Sequence, residues 1–165
     1  MYYPFRDASA LAKRYVPELG SSVVDHLFLR VPLDRMIVLA VGLAEVVSIL
    51  VRKHNAGVIG TPRFQNALRA FRAEMKTTSP VKIMPIDGPL AVRAYDFVEK
   101  YSVNSTDAIL LRSALDLAAP LRAAGDDLLL VASDQRLLKA ARAEGLAAFD
   151  PETQSAADLD AVLGP

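Results

Sequence analysis

Cysteine is absent from the chain. That excludes disulfides, thiolate zinc sites and cysteine nucleophiles together and suits a reducing compartment, so the cytoplasm is the expected location. There is no surplus of either charge, 19 Lys and Arg standing against 19 Asp and Glu. Neither disorder nor a basic nucleic-acid coat is indicated, and any contact with nucleic acid must be local. A long apolar run is also missing: the longest, over 36–51, is interrupted by Gly42 and Glu45 and falls short of the roughly 20 residues that span a bilayer. Residues 1–15 hold Pro4, Arg6 and Asp7 where a basic stretch and a long apolar core would mark a signal peptide, so neither a signal peptide nor a membrane segment is expected. No internal repeat or low-complexity tract is present.

What is present suffices for one domain, because 165 residues, 52% of them apolar, can enclose a single core. Residues 1–5 are aromatic and extended in character, and a helix is predicted from Asp7 towards Tyr15, stopped by Pro17. Val23, Val24, Leu27 and Phe28 recur at helical spacing within 21–30. A buried strand follows over 36–41, then a helix over 43–54 closed by Asn55 and Gly57, and another opening at Thr61-Pro62. Residues 81–86 alternate like a strand, and Asp87 opens a helix. Ser105 or Thr106 caps a helix over 107–117, 128–132 is an apolar strand, Ser133-Asp134 opens a helix ending before Gly145, and 146–149 form a last short strand. The Ala-rich stretch after Pro151 reads as a loosely held tail. Such alternation implies the α/β class, with a mostly parallel sheet, helices on both faces and ligands at the carboxyl ends of the strands.

Four acids stand beside these apolar segments: Asp7, Glu45, Asp107 and Asp134. A lone carboxylate is costly to bury unless it is paired, protonated or bound to a cation. Each has a plainer alternative. Asp7 and Asp134 are suited to capping the helices that follow them, Asp107 favours the positive end of a helix dipole, and Glu45 fits an exposed stripe with Ser48 and Arg52. Taken together, three acids at helix starts and a fourth early in a helix that follows a strand point to one shared site. Clustered carboxylates repel and raise one another's pKa unless a cation neutralises them, and oxygen ligands favour Mg²⁺ or Mn²⁺ over zinc.

The order of these motifs resembles the PIN-domain ribonucleases, and within them the VapC-type toxins of bacterial toxin–antitoxin pairs. The resemblance covers nearly the whole chain. It rests on Asp7-Ala8-Ser9-Ala10-Leu11 with Lys13 and Tyr15, on Ala44-Glu45-Val46, on Thr106-Asp107-Ala108-Ile109 with Ser113-Ala114-Leu115, and on Ser133-Asp134-Gln135-Arg136-Leu137 before Ala140-Ala141 and Gly145. It implies a three-layer α/β/α sandwich over residues 1–150 with a C-terminal tail over 151–165. It also implies a catalytic metal site of Asp7, Glu45, Asp107 and Asp134 and endonucleolytic cleavage of single-stranded RNA. Ser9 and Ser133 match positions where the family carries a small hydroxyl near the metal, with helix capping as their alternative.

Three departures stand out. Arg6 occupies a position that is usually apolar in the family, where it is placed to pair with Asp7 and compete with metal. Leu110 and Arg112 replace a polar or His residue and a small one. The interval from Asp107 to Asp134 is long, with 120–127 as an inserted surface loop.

The implied mechanism uses one or two Mg²⁺ to polarise the scissile phosphate and activate water for in-line attack, leaving a 5′-phosphate. His26 and His54, the two histidines, are expected at the surface. Lys13, Arg14 and Arg112 are the cations selected for the RNA backbone, ahead of Arg52 and Lys53. The resemblance further implies an antitoxin laid over the acidic cleft and a homodimer, for whose face Val23, Leu27, Leu50 and Phe64 are candidates, with core packing the favoured role for most of them. The alternatives are a PIN-like RNA-processing nuclease without an antitoxin and a non-catalytic α/β protein-binding module. A phosphate-transfer domain built on Asp7 lacks a lysine and hydroxyl in register.

Overall fold

The computed structural model describes residues 1–76 and 80–164. Strands β1 (Tyr2–Arg6), β2 (Ile37–Leu39), β3 (Lys82–Met84), β4 (Asp127–Val131) and β5 (Ala147–Phe149) form one sheet in the order β3-β2-β1-β4-β5. Every neighbouring pair is parallel, so each connection is a crossover. Helices α1 (Ala8–Leu11) and α2 (Ser21–Arg30) lie between β1 and β2, and α3 (Ala40–Asn55) and α4 (Thr61–Glu74) between β2 and β3. Helices α5 (Gly88–Arg93), α6 (Tyr95–Tyr101) and α7 (Ser105–Ala123) lead to β4, α8 (Gln135–Ala143) leads to β5, and α9 (Ala156–Leu163) follows it. This is the α/β/α sandwich expected.

Strand β4 reads as an unbroken apolar run because both its faces are covered. Leu128 and Leu130 join Phe5, Leu39, Phe97 and Leu138 in one core. Leu129 and Val131 join Leu27, Phe149 and Leu159 in another, and Val38 enters a third with Val46, Leu50 and Phe71. Central β1 is flanked by β2 on one side and β4 on the other, which makes its carboxyl end the switch point where such sheets hold ligands.

The structure departs from expectation at three places. Helix α3 starts at Ala40, directly after β2, so Glu45 lies in its second turn. Helix α7 continues through Pro120 to Ala123 where a surface loop was expected. Proline removes one intrahelical bond near the helix end, but Ala118 is buried and Leu117 and Leu121 pack on the core, which holds the last turns in place. Residues 156–163 are not a loose tail. A Ser155–Asp158 capping box starts α9, its Leu159 is buried, and Asp160 meets His26 and Arg30 of α2. Of the two roles open to the apolar set Val23, Leu27, Leu50 and Phe64, core packing is the one observed: Leu27 and Leu50 are fully buried, and Val23 and Phe64 pack against the cores.

Candidate active site

The carboxyl ends of the strands bring the four acids to one open cleft of about 260 Å³, lined by Asp7, Ala8, Ser9, Glu45, Ile49, Arg52, Asn104, Asp107 and Asp134. Asp7 follows β1, and its amide donates to the Val131 carbonyl at 2.9 Å, joining the ends of β1 and β4. One of its carboxylate oxygens, Oδ2, accepts from the Ser9 amide and the Ser9 hydroxyl, which caps α1. Asp134 caps α8 in the same way, with Oδ1 accepting from the Arg136 and Leu137 amides at 2.8 and 3.1 Å. The capping reading therefore holds for these two, but each cap occupies one oxygen of its carboxylate and leaves the other. Glu45 and Asp107 sit inside helices and cap nothing. The N-cap of α7 is Asn104, whose Oδ1 accepts from the Asp107 amide while its Nδ2 donates to Asp107 Oδ2, both at 2.8 Å.

Asp107 is 7% exposed, and its carboxyl is pushed up to about 7 by burial first, then by Asp7, Asp134 and Glu45, with Arg136 opposing. Glu45 is shifted upward by burial and by Asp7, while a hydrogen bond from the Thr106 side chain and the charge of Arg52 pull it back. Asp107 feels the other three acids and Glu45 feels Asp7, which is the signature of like charges sharing a site. Among the described residues, no three His, Asp or Glu side chains form a ready-made cation cage. The donor set itself is all oxygen, the chemistry that suits Mg²⁺ or Mn²⁺.

Ser9 does more than cap. Its hydroxyl donates to Asp7 and accepts from the Ser133 amide at 3.0 Å, linking the β1 and β4 loops. The Ser133 hydroxyl is buried with no partner among the described residues.

The cations fall differently from expectation. Lys13 is buried between Glu152, at 2.5 Å, and Glu18. Arg14 pairs with Asp25 and Glu74 and lies over the Phe28 ring. Arg112 pairs with Asp116, and five residues beyond Asp107 it is about 140° away around the helix. Arg52 instead lines the cleft, two turns from Glu45 on the same face of α3, a spacing visible in the sequence. Asn104 carries no distinguishing signal in the sequence, because the hydroxyls of Ser105 and Thr106 beside it are equally suited to capping.

Arg6 does not pair with Asp7. It is 1% exposed, none of its three guanidinium nitrogens has a partner among the described residues, and it lies 5.0 Å from the Phe28 ring centroid. Burial lowers its pKa to about 10, against the raising effects of Tyr15 and Glu74. Neither histidine lines the cleft: His26 lies against Asp160, and His54 stacks on Phe64.

The model of the PIN domain matches residues 6–143. The chain belongs to the PIN-domain family, a family of nucleases. Among solved structures, PAE2754 from Pyrobaculum aerophilum is 21% identical over 97% of this chain and 96% of its own, with a TM-score of 0.61. VapC20 from Mycobacterium tuberculosis, a sarcin–ricin-loop-cleaving toxin, is 16% identical over 92% and 99%, with a TM-score of 0.60. A toxin–antitoxin complex from Klebsiella pneumoniae is 16% identical over 79% and 86%, with a TM-score of 0.51. At these identities the shared property is the fold of this PIN domain. Comparison with curated protein sequences gives no match. No helix among the described residues is long and apolar enough to cross a membrane.

Proposed function

We propose that this PIN domain is a divalent-metal-dependent endoribonuclease of single-stranded RNA and the toxin of a type II toxin–antitoxin pair. The observation that carries the reading is the cleft itself. Four carboxylates from four elements face one another at the switch point of a PIN-family sheet, and their fields meet on Asp107. Asp7, Glu45, Asp107 and Asp134 would hold the Mg²⁺ or Mn²⁺. When bound, such a cation supplies Lewis-acid charge for the scissile phosphate and a lowered pKa for water.

The protein's own groups do the positioning. Ser9 holds Asp7 through its hydroxyl, and Asn104 holds Asp107 through its amide. Arg52, the one cationic side chain in the lining among the described residues, is suited to meet a substrate phosphate, since its guanidinium carries a permanent charge and a fork of donors. No imidazole lines the cleft, so general acid–base work by histidine has no candidate here. The toxin part of the reading draws on the VapC20 and Klebsiella likenesses, and the implied partner is an antitoxin that covers the acidic cleft.

The test is cleavage of a mixed single-stranded RNA pool with Mg²⁺ or Mn²⁺ against EDTA, comparing the native chain with Asp7→Asn and Asp107→Asn. The expected result is metal-dependent cutting that both substitutions abolish. A folded native chain indifferent to metal, or variants that cut equally well, would overturn the assignment.

A further inference from the structure

The chain's zero net charge conceals an uneven distribution. Residues 40–76, which include α3 and α4, hold six Lys and Arg but only two acids, Glu45 and Glu74. Neither acid offsets the outer surface. Glu45 belongs to the cleft, and Glu74 turns inward to accept from the Tyr15 hydroxyl at 2.6 Å. On α4 the buried side is marked by Ala67 and Phe71, and Arg63, Arg69, Arg72 and, just past its end, Lys76 are exposed.

The partners of the arginines sharpen the contrast. Several arginines elsewhere on the surface are engaged by acids, Arg30 by Asp160, Arg93 and Arg112 by Asp116, and Arg122 by Asp127, while Arg136 and Arg142 reach only the Ser102 and Ala148 carbonyls. Among the described residues, Arg63 and Arg72 on α4 have no hydrogen-bond or ion-pair partner, and Arg69 touches only the neutral amide of Asn66. Arg69 and Arg72 are neighbours at i, i+3 and line a shallow groove of about 400 Å³ with Gln65 and Leu68. Arg52, on the antiparallel partner helix, already stands in the cleft.

We infer that the outer face of α4, centred on Arg69 and Arg72, is a docking surface for the phosphate backbone of single-stranded RNA outside the cleft. Guanidinium groups that no carboxylate among the described residues engages complement a polyanion, and phosphate contacts of this kind position a strand without reading its sequence. The choice of RNA as the occupant rests on the nuclease reading; the surface itself stands on charge and geometry.

The experiment measures binding of a short fluorescein-labelled single-stranded RNA of mixed sequence by anisotropy in EDTA, over a range of salt. It compares the native chain with Arg69→Gln/Arg72→Gln and with Arg93→Gln/Arg122→Gln, which removes the same charge elsewhere. Thermal unfolding confirms that each is folded. The expected result is a loss of affinity of about tenfold or more for the α4 variant alone, with its salt slope reduced by about 0.7 for each phosphate that is no longer neutralised. Equal binding by the two double variants overturns the inference, and so does an α4 variant that keeps RNA but loses polyglutamate, which marks an acidic protein as the partner. Parallel cleavage assays in Mg²⁺ separate the two readings. RNA cutting with no α4 effect leaves the nuclease standing and removes this surface, whereas α4-dependent binding without cutting does the reverse.

Discussion

Asn104 grips Asp107 at two points, accepting from its amide and donating to its carboxylate, each at 2.8 Å. One side chain thereby starts α7 and orients the most strongly shifted acid of the cleft.

Substitution separates these two duties. Asn104→Ala removes cap and donor, and is expected to cost about 1 kcal/mol of stability and to reduce RNA cleavage. Asn104→Ser keeps a capping oxygen but loses the amide donor, so it should retain most of the stability while still losing activity. Urea unfolding beside initial cleavage rates checks both, and a serine variant with full activity would limit Asn104 to capping.

The elevated Asp107 carboxyl makes stability depend on pH in a defined direction. Its ordinary value is 3.8, and in the folded chain it is about 7. Between these values the folded state keeps a proton that the unfolded chain releases. The contribution is therefore full below about pH 4 and lost as pH rises through 7. Without divalent cations, Asp107→Asn should gain stability relative to the native chain on going from about pH 5 to about pH 8, as read from urea midpoints in EDTA. A constant difference across that range would show that the carboxyl is not perturbed.

On the proposed reading, cation binding must draw the proton from Asp107. Mg²⁺ or Mn²⁺ should raise the melting temperature of the native chain more at about pH 8 than at about pH 5.5. Asp7→Asn and Asp107→Asn should each shrink that rise. Melting curves with and without EDTA provide the check.

Arg6 is a buried charge without a hydrogen-bonded partner among the described residues, compensated by the Phe28 ring and by the nearby Tyr15 and Glu74. Replacing buried ionic groups by apolar ones of similar size often stabilises by about 1–4 kcal/mol. Arg6→Met is expected to be neutral or stabilising, while Glu74→Gln should destabilise by leaving the guanidinium less compensated. Denaturant midpoints decide it, and a marked loss of stability in Arg6→Met would refute this account.

Helix α9 extends the folded unit beyond the family match. Leu159 is 1% exposed among Leu27, Val131 and Phe149, so Leu159→Ala should cost about 2–5 kcal/mol. Truncation after Asp150 should cost at least as much, because it uncovers that core. Thermal melts of the two variants test whether the C-terminal segment is structural.

Local pattern alone was enough to read the alternation of strand and helix and the parallel sheet it requires, and it marked the four acids that the fold gathers in one cleft, because periodicity and strand-end position are written in consecutive residues. The same holds for the capping roles of Asp7 and Asp134. Partners far away in sequence decided the rest. Lys13 looked available beside Asp7 until Glu152, 139 residues on, engaged it. Ser9 meets the Ser133 amide across 124 residues. The α9 segment, too short to hold a helix by itself, becomes a helix of the core because α2 gives Leu159 somewhere to be buried. A side chain's type is local, but its burial and charge environment are sums over neighbours that only the folded chain brings within reach.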